Sequence, residues 1–209
     1  MRYKILTVVL LFQVLSAFGQ NYKEIYFPGV DDIETLVIRF WLEKGGKMTD
    51  ITRVAERTTF DNEKMIDGFI SLLERNVFEG YKGERIKLQF TLKLINPKYE
   101  NSTLPEEQCK ELGFLKEGRF IYKDPDFAGI IVERTGDDQI ETGPGQRITS
   151  KVKWISDCEF ELINPGSDTT GMRSDAVIHV KVIGVLDNQT VVYRSTWHNE
   201  VFTGIMQKI

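Results

Sequence analysis

The chain of 209 residues carries only two cysteines and two histidines. Neither cysteine belongs to a C-x-x-C pair, which excludes a thioredoxin-type dithiol and a structural zinc ribbon. His179 and His198 fall on separate expected strands, and a metal site would need further ligands beside them. Both are therefore read as ordinary strand residues, and no metal is expected. No H-E-x-x-H, G-x-S-x-G, P-loop or G-x-G-x-x-G occurs. Gly143-Pro144-Gly145 is not followed by a helix whose N-terminus would meet a phosphate. No catalytic residue and no cofactor is assigned, so a non-enzymatic protein is expected. An excess of positive charge is also missing: 27 Lys and Arg stand against 31 Asp and Glu, a net charge of −4. That gives no electrostatic case for nucleic acid or an anionic membrane surface. Beyond the first twenty residues, no segment is long and apolar enough to span a bilayer.

Those first residues carry a clear pattern. Arg2 and Lys4 precede an apolar run over residues 5–15, broken only by Thr7 and Gln13. Ala17-Phe18-Gly19 then places small residues where a signal peptidase reads them. This is the layout of a secretory signal peptide over residues 1–19, cleaved before Gln20. The run is too short for a membrane anchor, so a periplasmic or secreted protein is expected. Export would place Cys109 and Cys158 where disulfides persist. A bridge between them is expected, with two buried thiols as the alternative. On the chain-entropy model it stabilises the fold by about 4 kcal/mol.

The periodicities describe an α+β chain with two domains. In the first, residues 20–96, an irregular lead-in precedes an alternating strand with Leu36, Ile38, Phe40 and Leu42 on one face. Lys44-Gly45-Gly46-Lys47 reads as a hairpin turn into a second strand over residues 48–56. Asp61 is the expected N-cap of an amphipathic helix carrying Met65, Ile66, Phe69, Ile70, Leu72 and Leu73. The clearest strand follows. Ile86, Leu88, Phe90, Leu92 and Leu94 alternate with Arg85, Lys87, Gln89, Thr91 and Lys93. Residues 97–107 are polar, contain two prolines and read as a linker.

Residues 108–209 change character. Short alternating segments recur between turn residues, and none has helical spacing. The pattern predicts an all-β antiparallel meander, either a small barrel or a sandwich. Arg134, Glu141 and Trp154 are its most informative polar and aromatic positions. They fit a buried ion pair beside a core tryptophan or, if they point into a barrel, a small polar ligand pocket.

Residues 26–95 resemble the C-terminal domain of TonB. The resemblance rests on Tyr26-Phe27-Pro28, on LVIRFWLEKGGKMTDITRVAE (36–56), on FDNEKMIDGFISLL (60–73) and on GERIKLQFTLKL (83–94). It implies a strand-strand-helix-strand fold that binds an extended peptide by strand addition. If the segment 85–94 lies at a sheet edge, rather than under neighbouring strands, Lys87, Gln89, Thr91 and Lys93 would flank that peptide. Energy transduction is not implied, because no uncleaved anchor or proline-rich arm is present. Residues 109–209 resemble small exported proteins, mostly from Bacteroidetes, through Gly118-Arg119-Phe120-Ile121-Tyr122, Gln139-Ile140-Glu141 and the segment 153–160. The leading expectation is an exported interaction module whose partner is an envelope or outer-membrane protein. The alternative is a carrier of a small molecule or lipid, built on a lipocalin-like barrel.

Overall fold

A computed structural model describes residues 22–164, 176–198 and 200–209. The expected signal peptide lies outside the described residues, as do residues 165–175. The chain divides into two compact units between Asn96 and Pro97.

In the first unit, strands β1 (Tyr22–Tyr26), β2 (Ile33–Leu42), β3 (Met48–Arg53) and β4 (Ile86–Ile95) form one sheet in the order β1-β4-β2-β3. Helix α1 (Glu63–Arg75) stands between β3 and β4 in sequence. It buries Ile66 and Leu73 in a core with Leu36, Ile38, Phe40, Leu42, Phe90 and Leu92. Its N-cap is Asn62, not Asp61: the Asn62 side chain accepts from Met65 N at 3.2 Å. At the β2–β3 turn a Cβ on Gly46 would fall 2.0 Å from the Phe78 carbonyl oxygen. Only glycine permits that approach.

The strand expected at the sheet edge is an interior one. β4 pairs in parallel with β1 over Thr91–Ile95 and antiparallel with β2 along its whole length. Thr91 and Lys93, expected to flank a bound peptide, are instead 5% and 0% exposed. The covering strand β1 comes from the segment read as irregular, because YKEIY is too short and mixed to show a period. The other two residues of the set lie in the half of β4 that β1 does not reach. Lys87 is exposed over the Trp41 ring, and Gln89 accepts from Arg39 at 3.1 Å.

The second unit decides between the two expected architectures. Strands β5 (Gly118–Tyr122), β6 (Ile131–Thr135), β7 (Asp138–Gly143), β8 (Gln146–Ser156), β9 (Glu159–Ile163), β10 (Val177–Val185), β11 (Thr190–Trp197) and β12 (Glu200–Lys208) close into a barrel. Each strand pairs antiparallel with the next, and β12 returns to β5 through Met206↔Tyr122, Gln207↔Ile121 and Lys208↔Phe120. Two-residue turns join β6 to β7 and β7 to β8, with Gly136 and Gly145 at positive φ as such hairpins require. Alternation sends Phe120, Val132, Val152, Phe160, Val180, Val182, Val191 and Met206 into one shared core.

Residues 97–107, expected to be a linker, belong to the barrel unit. Tyr99 is buried, and a Cβ on Gly184 of β10 would lie 2.6 Å from its ring. Glycine at that position makes the seat for the tyrosine. Ser102 Oγ donates to the Ile183 carbonyl at 2.7 Å, and Arg194 donates to the Tyr99 carbonyl at 2.7 Å. Polarity without periodicity identified an irregular segment, but a single aromatic residue suffices to bind it to the wall.

One end of the barrel is sealed. A short helix, α2 (Glu106–Lys110), and the 3-10 turns over Glu111–Lys116 cross it. Leu112 and Leu115 enter the core at 2% and 0% exposure. Burial of each contributes about 2 kcal/mol. The expected disulfide is present: Cys109 and Cys158, with Cα atoms 5.1 Å apart, tie this cap to the β8–β9 turn.

Candidate functional site

The site is built from inward positions on three consecutive strands. Arg134 follows Val132 by two residues on β6, so it shares the face that buries Val132. It is 3% exposed. Its Nε donates to Gln139 Oε1 at 2.7 Å, and its Nη1 donates to the Leu115 carbonyl at 2.8 Å. The guanidinium lies 4.4 Å from the Phe160 ring centroid, 5.3 Å from Phe120 and 5.9 Å from Trp154. Burial lowers its pKa to about 10, against the opposing effect of Tyr122, Glu141 and Tyr193. It therefore stays charged at neutral pH, held by two acceptors and three aromatic rings.

Gln139 passes the connection on along β7. Its Nε2 donates to Glu141 Oε1 at 2.7 Å, and Tyr122 Oη on β5 donates to the same oxygen at 3.1 Å. Glu141 Oε2 takes no hydrogen-bond partner among the described residues. Glu141 is half-buried, so part of its surface still meets solvent. Burial raises its pKa; the bonds from Tyr122 and Gln139 and the charge of Arg134 work the other way. Burial also raises the Tyr122 hydroxyl well above its usual range, with the Glu141 charge adding to the effect.

Four rings surround this end of the network. Tyr122 lies 5.5 Å from Phe127 and 6.1 Å from Tyr193, centroid to centroid. Phe202 closes the circuit at 5.2 Å from Phe127 and 6.2 Å from Tyr193. Gly204 gives these rings room, since a Cβ there would lie 2.7 Å from Tyr193 Oη and 2.9 Å from Phe202 Cε1. Phe127 comes from the 3-10 turn Pro125–Phe127 between β5 and β6, at the end of the barrel opposite the cap.

The three residues singled out in the sequence thus share one barrel but do not touch as a triad. Arg134 and Glu141 are bridged by Gln139 and make no direct ion pair, and Trp154 meets the network through the Arg134 guanidinium. Sequence reading missed Gln139, Tyr122, Phe127, Tyr193 and Phe202. Spacing held a signal for two of them. Gln139 is two residues before Glu141 and Tyr122 two after Phe120, so each shares its neighbour's face.

A separate cleft of about 550 Å³ lies at the sealed end, lined by Leu104, Cys109, Lys116, Trp154, Ile155 and Asp157 among others. Its charges are already engaged, Lys116 with Asp157 at 2.7 Å and Lys110 with Glu106 at 2.8 Å. Of the two histidines, His179 lies 3.4 Å from Glu161, and the His198 ring lies tilted 4.9 Å from that of Trp197.

No protein-family model matches the chain, and neither does any curated protein or solved structure.

Proposed function

We propose that the protein is an exported, non-enzymatic binder whose barrel unit takes up a small molecule at the end opposite the cap. One observation carries this reading. Inside a closed barrel, Glu141 turns one oxygen to Tyr122 and Gln139, while the other, which no described residue engages, stays open to solvent. A ligand that donates a hydrogen bond to Oε2 would complete the set. Arg134 is the anchor that fixes the network, and the ligand meets Glu141 rather than Arg134. No helix among the described residues is long and apolar enough to cross a membrane, and the disulfide is compatible with export.

Native mass spectrometry of the disulfide-intact chain, after exposure to a small-molecule extract of the cell envelope, tests this. The expected result is a discrete added mass on the wild type that Glu141→Gln fails to retain. An unmodified mass for both proteins would contradict it.

A second reading is the strand addition that a TonB-like first unit implies. Its support is that Ile86–Phe90 of β4 pairs only with β2 among the described residues. An extended segment of an envelope or outer-membrane protein would pair there, flanked by Lys87 and Gln89. Crosslinks from Lys87 to such a segment are the expected result; crosslinks confined to the β3 side of the sheet would contradict it.

A further inference from the structure

We infer that the ligand of the barrel mouth is an organic cation: an ammonium group carried on an apolar or aromatic body. The inference rests on the proposed ligand-binding reading and supplies its chemical class.

The charge balance around Glu141 comes first. Both of its donors are neutral, a phenol and a carboxamide. No cationic side chain among the described residues lies within ion-pair distance of it. Arg134 does not fill that role, because its bonds run to Gln139 Oε1 and the Leu115 carbonyl and its face to aromatic rings. The charge of Arg134 reaches Glu141 without a direct contact, and a largely buried carboxylate whose bonded partners are neutral gains from a cation in contact with it. A neutral hydroxyl or amide would satisfy the oxygen and leave the charge. An ammonium group does both, through a charge-assisted bond to Oε2.

The surrounding rings point the same way. Tyr122, Phe127, Tyr193 and Phe202 form a closed circuit with neighbouring centroids 5.2 to 6.2 Å apart. The Tyr122 ring that belongs to this circuit also carries the hydroxyl bonded to Glu141. Ring faces are negative, and cations over them are attracted more strongly once desolvated. An anionic ligand would meet the Glu141 carboxylate, which excludes that class. The same rings offer an apolar body a surface to pack on.

The test compares two probes of like size on the full, disulfide-intact chain. 2-Phenylethylammonium carries the charge, and 2-phenylethanol offers a hydroxyl donor without it. Isothermal titration calorimetry should show the ammonium binding at least about ten-fold tighter than the alcohol. Glu141→Gln should remove that preference. The wild-type comparison stands alone if the variant does not fold. Equal affinities for the two probes, or ammonium binding unchanged in a folded Glu141→Gln, would overturn the cation class while leaving a ligand-binding barrel. Failure of both probes to bind the wild type would overturn the class and the barrel reading together.

Discussion

The two ends of the barrel use the same kinds of residue to opposite effect. At the capped end a cation, Arg134, is enclosed by Phe120, Phe160 and Trp154, and two of its N–H groups donate to Gln139 and the Leu115 carbonyl. At the other end a carboxyl, Glu141, stands beside four aromatic rings with one oxygen that no described residue engages. The first charge is held by acceptors and aromatic rings of the chain itself. The second, on the proposed reading, is completed by a bound ligand. Enclosed charge, by itself, does not mark a site; on the proposed reading, a carboxyl with one oxygen still open to a ligand does.

That contrast predicts where substitutions act. The largest effect belongs to the disulfide at the capped end. Replacing Cys109 and Cys158 together by serine should lower stability by about 4 kcal/mol, read from urea unfolding, because the open loop regains its entropy. Next comes Leu115→Ala, which empties a fully buried position of the plug and should lower stability by about 3 kcal/mol in the same experiment. A change below 1 kcal/mol for Leu115→Ala would mean that the cap does not hold this end.

At the mouth the stability effects should shrink. Tyr122→Phe removes one donor to Glu141 while Gln139 keeps the other, so a loss of about 1 kcal/mol is expected. The smallest effect is that of Glu141→Gln, and it depends on pH. Burial holds the carboxyl pKa above its unfolded value. The ionised form therefore destabilises the fold above that pKa, and the penalty is relieved as pH falls toward the ordinary carboxylate range. The melting temperature of Glu141→Gln should rise relative to wild type as pH increases. The difference should fade in acid. The opposite slope would mean that Glu141 is stabilised as an ion by the protein alone.

Much of this was legible in the sequence, and the parts that were not share a cause. The expected antiparallel meander is there in strands β5 to β12, and the expected bridge joins Cys109 to Cys158. Both follow from local signals, alternation in one case and composition in the other. Whether the meander closes depends on β12 meeting β5, a pairing of distant segments that no local period encodes. The same limit hid β1 against β4, and so placed Thr91 and Lys93 at an edge they do not occupy. Arg134, Glu141 and Trp154 were identifiable as unusual residues among apolar alternation. Their bridge through Gln139 was not, because it needs β6 and β7 in register, Arg134 opposite Gln139. Tyr122 joins the network from β5, one strand further on.

The most direct test of the central claim is the side-chain carboxyl ¹³C shift of Glu141, followed by NMR against pH with and without 2-phenylethylammonium. The free protein should show this carboxyl titrating above the ordinary carboxylate range, and the bound cation should bring it down. A carboxyl that titrates like an exposed glutamate and does not respond to the ammonium would contradict the account.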